Sequence, residues 1–387
     1  MSQLQFSQVL PLSLYIHYPW CIQKCPYCDF NSHTLKQTLD EQAYLDAMVR
    51  QLEQTLPLIW GRPIRSIFFG GGTPSLISQS GLEWLLSQLR ALLNFSPQIE
   101  ITLEANPGTV DFEKFAGFRN AGINRLSMGI QSFADDKLTA LGRIHSAAEA
   151  KLAIQAAKDA GFDNFNLDLM FALPNQTLEQ AQADVTQALE FAPPHLSHYQ
   201  LTLEPNTPFF KQPPQLPDDD LAWDMQESCQ QIIAKAGYQH YEVSAYAQPD
   251  HHCQHNLNYW TFGDYLGLGA GAHGKITIAP EGRVLRTQMP ASPGGYVEAA
   301  QNGKFGRSHE VDAEELMFEF MLNALRLQNG FALDLFEQHT GLALSTITQR
   351  LEQLQQQDLI ALQEGMLTLT RRGQVYLNDV VSAFLRS

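Results

Sequence analysis

The sequence predicts an α/β protein, a partial (β/α)6 barrel followed by a small, mostly helical, winged-helix-like C-terminal domain. Three observations lead there. Six short β-rich runs alternate with amphipathic helical patterns, the chemically unusual residues cluster just past the far ends of those runs, and the pattern changes near Asp312. A chain of 387 residues is also too long for one ordinary core.

The candidate strands are 13–17, 66–69, 100–103, 125–129, 164–170 and 198–203. Each ends in turn chemistry: Pro19, Gly70 to Pro74, Asn106-Pro107, Ser132, Pro174 and Pro205. Helical spacing lies between them, in Leu45, Met48, Leu52 and Leu56, and more clearly in Leu82, Leu85, Leu86, Leu89 and Leu93. Strands alternating with helices imply parallel βα units with right-handed crossovers, whose chemistry sits at the carboxyl ends of the strands.

Residues 1–220 are read as the barrel, and the Pro- and Asp-rich stretch 205–220 as a loop or boundary. Residues 221–311 are mixed, with a Gly-rich run at 263–274, and extend the barrel. Residues 312–387 read as helix, helix, small hairpin around Ile360 and Leu367, and a final helix from Arg372.

Composition excludes several functions. Apolar residues make up 44% and charged ones 17%, so the chain can bury a large core. A net charge of −16 argues against nucleic acid and against an anionic membrane surface. Residues 331–387, most of the winged-helix-like end, have four Arg against six acids, which argues against DNA reading. No signal peptide and no membrane-spanning run is visible, so a cytoplasmic protein is expected. Five cysteines, three of them within residues 21–28, suit metal chemistry better than a disulfide framework.

Those three are Cys21, Cys25 and Cys28, in a loop immediately after the first strand. Thiolates hold iron–sulfur clusters, and four irons ordinarily take four of them. Three local cysteines would leave one iron open to an external ligand, as catalytic zinc keeps an open position. The competing reading is a zinc site with His17 or His33 as fourth ligand, although the spacing is not a usual zinc spacing.

On this motif the chain resembles the radical S-adenosylmethionine (SAM) superfamily. The resemblance implies a [4Fe–4S] cluster on Cys21, Cys25 and Cys28 whose open iron chelates SAM, and it implies that Tyr27 packs near the adenine. The glycine-rich turn Gly70-Gly71-Gly72-Thr73-Pro74 would contact the methionine ammonium; by itself it is equally a tight βα turn. Glu104, Gln131, Arg143 and Asp168 follow or occupy later strands. Asp168 stands out physically, because a carboxylate inside Leu167-Asp168-Leu169-Met170 is costly unless paired or ligand-bound. Glu104 and Asp168 suit ribose hydroxyls or an ammonium, and Arg143 a carboxylate; each of the others also reads as a solvated loop residue.

Within the superfamily the motifs resemble the oxygen-independent coproporphyrinogen III oxidase family and its HemW-type haem-chaperone branch. The resemblance carries Tyr15, Gly71, Gly72, Thr73, Glu104, Gln131, Arg143 and Asp168 to the SAM site or its surroundings. Two departures separate the chain from the oxidases. Their CxxxCxxCxC pattern meets Phe30 here, and only about a dozen residues precede the first strand. Oxidative decarboxylation of coproporphyrinogen III stays open as the alternative function.

The segment His255-Asn256-Leu257-Asn258-Tyr259-Trp260 matches the HNxxYW motif that this branch links to haem. A histidine followed by Tyr259 and Trp260 offers an axial iron ligand and flat apolar surfaces. His252 and Cys253 are second-choice ligands, and a polar loop before a Trp-anchored helix is the plain alternative. The implied partners are haem and a haem-accepting protein, a respiratory enzyme among the candidates, with a homodimer open.

Overall fold

The computed structural model describes residues 4–35 and 40–385. Its centre is a twelve-stranded sheet. We label these strands β1 Leu12–Tyr18, β2 Pro63–Gly71, β3 Asn94–Ala105, β4 Arg125–Gln131, β5 Phe165–Phe171, β6 His195–Gln200, β7 Gln239–Glu242, β8 Ala245–Ala247, β9 Asp264–Leu268, β10 His273–Ile278, β11 Arg283–Gln288 and β12 Arg307–Glu310. Their order is β12-β11-β10-β9-β1-β2-β3-β4-β5-β6-β8-β7.

All six expected strands are present, and they pair in parallel in sequence order. The sixth begins three residues earlier than expected, at His195, where polar residues hide it from an apolar count. Beyond the expectation, β9 adds a seventh parallel strand on the far side of β1, Leu12 opposite Asp264. It lies in the Gly-rich run, and glycines depress any strand signal. Antiparallel β10 to β12 extend that side, and β8 and β7 the other.

Helices cover the outer face. Glu41–Ile59 is capped by Asp40, which accepts from the Ala43 amide, and it buries Leu45, Met48 and Leu52. Gln79–Leu92 is capped by Ser78 and buries Leu82, Leu85, Leu86 and Leu89. Two later helices open with full capping boxes, Ser146/Glu149 and Thr177/Gln180.

The C-terminal part has its own apolar cluster around Phe320, Phe331, Phe336 and Leu367. The hairpin Ile360–Gln363 with Met366–Leu369 forms as expected, and Phe331–Ala332 adds a third strand. An unanticipated helix, Leu333–Thr340, precedes the second expected one, and the last helix breaks at Tyr376 into two short pieces. Arg326 ties this part to the barrel by donating to Glu242 at 2.9 Å and lying over the Trp260 ring. No described helix is long and apolar enough to cross a membrane.

The β9 seam is held by a buried carboxylate. Asp264 receives Lys275 Nζ at 3.0 Å, Arg62 Nη2 at 2.9 Å and the Thr277 amide at 2.8 Å. Lys275 and Arg62 hold its carboxyl below the usual range despite burial. Asp264→Ala would strand Lys275 in the core, so a loss of about 3–5 kcal/mol in denaturant-monitored stability is expected. A loss below about 1 kcal/mol would show that this network does not hold the seam.

Candidate functional site

Side chains alternate along a strand, and here the alternation divides chemistry. On β1, Leu12, Leu14, Ile16 and Tyr18 join the core beneath the helices, while Ser13, Tyr15 and His17 face the barrel interior. On β5, Leu167 and Leu169 pack outward and Asn166 and Asp168 inward. The interior is therefore polar, which a barrel packed for stability alone would not be. The apolar run that made Asp168 conspicuous in the sequence is the outward face of its strand.

The cysteine loop closes the upper end. Trp20–Cys21 pairs with His33–Thr34, and Lys24 Nζ donates to the Phe30 carbonyl at 2.9 Å, drawing the loop into a ring. Cys25 and Cys28 share one turn, the Cys28 amide donating to the Cys25 carbonyl at 3.2 Å. All three thiols are free. Burial pushes Cys21 and Cys28 up, and the Ser32 hydroxyl beside them is buried without a hydrogen-bond partner. Arg143 Nη1 points at Cys25 Sγ from 3.7 Å.

This donor set suits thiolates bound to iron, since coordination removes the thiol proton that burial otherwise retains. It does not suit a single zinc ion. Among the described residues no three His, Cys, Asp or Glu converge on one ion position. Both His17 nitrogens are already engaged, with Tyr15 Oη at 2.9 Å and the Asn31 carbonyl at 2.8 Å.

The glycine turn has a packing reason. A Cβ on Gly72 would lie 2.6 Å from the Trp20 carbonyl oxygen, and one on Gly71, at φ +113°, 2.6 Å from His17. The Gly72 amide donates to Tyr18 and the Thr73 amide to Trp20. The turn thus clamps the cysteine loop against β2, so its glycines are explained by the fold before any ligand is invoked.

Below the loop lie Glu104 and Asp168. Glu104 accepts from the Gly71 amide at 3.3 Å, and burial, with the Asp168 charge second, pushes its carboxyl up to about 8. Asp168 is raised by burial and steadied by Asn166 Nδ2 at 2.8 Å and Ser127 Oγ at 3.2 Å. Two neighbouring carboxyls, both raised by burial, form a site for hydroxyls or a cation. Gln131 adopts φ +69° at a β-bulge and accepts from Tyr199 Oη at 3.0 Å. Arg143 is only partly available as a carboxylate fork. Nη2 donates to the Gly129 carbonyl at 2.7 Å, and Nε is buried without a partner. Tyr27 packs in a satellite cluster with Leu141 and Leu201, beside Phe209. Tyr15, Tyr27, Gly71, Gly72, Thr73, Glu104, Gln131, Arg143 and Asp168 therefore gather at one end of the barrel, around the cysteine loop.

The 255–260 segment lies lower in the same interior. It forms the helix Gln254–Trp260, and the Tyr15 ring lies 6.4 Å from that of His255. His255 is 1% exposed, stacks on Phe68 at 5.0 Å, and bonds Ser66 Oγ through Nδ1 at 3.0 Å. Its Nε2 is buried and unpartnered, and burial pushes the ring down to about 3, so it is neutral. Tyr259, one turn on, meets His255 and Tyr265 edge-on. Trp260 faces Arg326, and Asn256 is half-buried. The helical turn thus separates the histidine from the tryptophan, which the linear motif does not show. His252 stacks on Tyr241, and the Cys253 thiol, pushed up to about 12 by burial, points at Glu100.

Sequence reading missed the lower interior. Arg125 is 2% exposed, and its one ion pair among the described residues is a 3.9 Å approach to Glu100. His195 bridges Asn166 at 2.7 Å and Tyr241 Oη at 2.9 Å. The available signal was the alternation of polar with apolar residues in 125–128 and 195–197.

Comparison with known proteins follows the same division. Residues 15–188 match the model of the radical SAM superfamily, and residues 311–376 that of the HemN C-terminal domain. The heme chaperone HemW of Haemophilus influenzae is 49% identical over 379 residues, covering 97% of this chain and 98% of its own. The heme chaperone HemW of Escherichia coli K12 is 47% identical over 383 residues, with the same coverage. The structure of E. coli coproporphyrinogen III oxidase (HemN), a radical SAM enzyme, superposes with a TM-score of 0.81 over 97% of this chain and 90% of that one. At 23% identity that likeness is one of fold.

Replacing Cys21, Cys25 or Cys28 by Ser is expected to abolish iron retention and visible charge-transfer absorption, while Cys229→Ser, on the buried face of the helix Asp219–Lys235, retains both. Loss of the cluster in Cys229→Ser would require a fourth protein ligand. Glu104 gives a pH signature in the cofactor-free protein. Between about 4.5 and about 8 the folded state binds more protons at this site than the unfolded one, so stability falls as pH rises through that window. Glu104→Gln should flatten the fall, as read by thermal midpoints at pH 5 and pH 8; an unchanged difference would mean that Glu104 is ionised throughout.

Proposed function

This chain belongs to the radical SAM superfamily and, within it, to the HemW family, and on that premise we propose that it is a haem chaperone. It binds haem and a three-cysteine [4Fe–4S] cluster with SAM, and it transfers haem to an acceptor protein. The observation that carries the reading is near-full-length identity to HemW proteins of two organisms.

Cys21, Cys25 and Cys28 hold the cluster. Tyr15, Tyr27, Gly71, Gly72, Thr73, Glu104, Gln131, Arg143 and Asp168 surround SAM. A reduced cluster carrying SAM supplies one-electron chemistry. The chain's own contribution is to bury the thiols, direct Arg143 at Cys25, and offer Glu104 and Asp168 to the ligand's polar groups. Phe30, 60% exposed at the rim of the loop, adds no thiolate there.

Haem is assigned to the 255–260 segment, with His255 as axial ligand and Asn256, Tyr259 and Trp260 around it. Neutral His255 with a free Nε2 is in the correct protonation state for iron. Its burial sets a condition: the helix Gln254–Trp260 must leave the barrel floor, which Glu100 holds by accepting from the His255 amide at 3.2 Å. A closed helix keeps the ligand masked until haem arrives. The acceptor is proposed to be a haem-dependent respiratory enzyme.

The test is anaerobic reconstitution followed by haem titration of wild type and His255→Ala. The variant should bind at least about tenfold more weakly, the loss of one coordination bond. Unchanged affinity would remove His255 as ligand, and no binding by wild type would sink the carrier function. Formation of protoporphyrinogen from coproporphyrinogen III in an anaerobic assay with reductant would make the chain an oxidase. Haem should also speed amide hydrogen exchange in 254–260; slow exchange with haem bound would place the iron elsewhere.

A further inference from the structure

A half-open cavity of about 290 Å3 lies on the outer face of the sheet, against the later turns of the helix Glu41–Ile59. Leu266, Ile276 and Leu285 of β9, β10 and β11 form its floor, with Phe305 at one side. Leu58 closes it from the helix and is 39% exposed. On the opposite face of the same wall, Tyr265 meets Tyr259 inside the barrel. The cleft is therefore separate from His255, with the strands between them.

Charge distinguishes this cleft. The chain carries −16, yet none of the residues lining the cleft is Asp or Glu, and its rim holds Lys304 and Arg307. Lys304 has no side-chain partner among the described residues, and Arg307 has one long contact, to Gln288 at 3.4 Å. In the wall, the Thr287 hydroxyl is buried without a hydrogen bond. An apolar floor, two cations on one edge and a spare hydroxyl select an apolar body with adjacent anionic groups. A neutral or cationic guest would leave both cations unmet.

We propose that this cleft receives the carboxylate edge of a tetrapyrrole, its propionates on Lys304 and Arg307 and its ring against Leu58, Ile276, Leu285 and Phe305. The inference rests on the haem-binding reading above and adds to it a second haem position, open to solvent and separated from His255 by the strands. The cleft is at the small end of ligand pockets, so it holds one edge and leaves the rest of the ring exposed. A carrier that must release its cargo needs such partial enclosure, because affinity differences reside mainly in the off-rate.

The experiment titrates haem and haem dimethyl ester into wild type, Lys304→Glu/Arg307→Glu, Leu58→Glu and His255→Ala. Wild type and His255→Ala should prefer the free acid. The double variant should lose that preference and bind haem about tenfold or more weakly, with unchanged thermal midpoint and cluster absorption. Leu58→Glu, at an exposed position, should weaken haem without unfolding the chain. Haem bound equally by wild type, the double variant and Leu58→Glu, or with no preference for the acid in wild type, overturns the cleft and leaves the carrier reading intact. No haem binding by wild type removes the carrier reading and the cleft with it.

Discussion

The structure depends on β1 being a central strand with a divided face. It pairs on one side with β2 and on the other with β9, and its outward Leu12, Leu14 and Ile16 are fully buried beneath the helices. Its inward Ser13, Tyr15 and His17 begin the polar lining that later strands continue. The cysteine loop leaves from its end, and the glycines of β2 clamp that loop. Moving β1 by one residue would exchange the two faces and take the loop away from Thr73 and Arg143.

The same division explains the electrostatics. Helix packing consumes the apolar face of every barrel strand, so Glu104, Asp168, Arg125 and His195 share a low-dielectric interior with few counter-charges. Burial then dominates their protonation, raising carboxyls and lowering imidazoles. Groups at the upper end keep unmet capacity, as the unpartnered Nε of Arg143 shows. Those at the lower end are covered by one short helix, so the molecule has two chemically distinct ends within one barrel.

Local patterns were the most legible. The first five strands and the helices carrying Leu45 to Leu56 and Leu82 to Leu93 followed from apolar spacing and turn residues, and the cysteine loop from its spacing. What escaped was non-local. Nothing near the Gly-rich residues 263–274 announces that Asp264 to Leu268 pair with a strand at the other end of the chain. The HNxxYW string suggested one platform, but helix geometry sends His255 and Tyr259 inward and Trp260 toward Arg326. Arg125 looked like an ordinary strand opener, because one sequence cannot say which face of the strand turns inward. The cleft at Lys304 and Arg307 is built from one helix, four strands and the loop before the last of them, and had no local signal.

The pairing of β1 with β9 also bears on how the chain is made. During synthesis β1 and β2 emerge early, while the second neighbour of β1 emerges only after most of the barrel. Until then β1 is an edge strand, with unpaired amides and carbonyls on one side. Non-local parallel pairing is slow to form, so the nascent barrel carries an open, apolar-backed edge for much of its synthesis. The cysteines leave the ribosome beside that edge. The cysteine loop and the late pairing with β9 therefore meet on the same strand, and a half-made chain is the form most exposed to wrong partners.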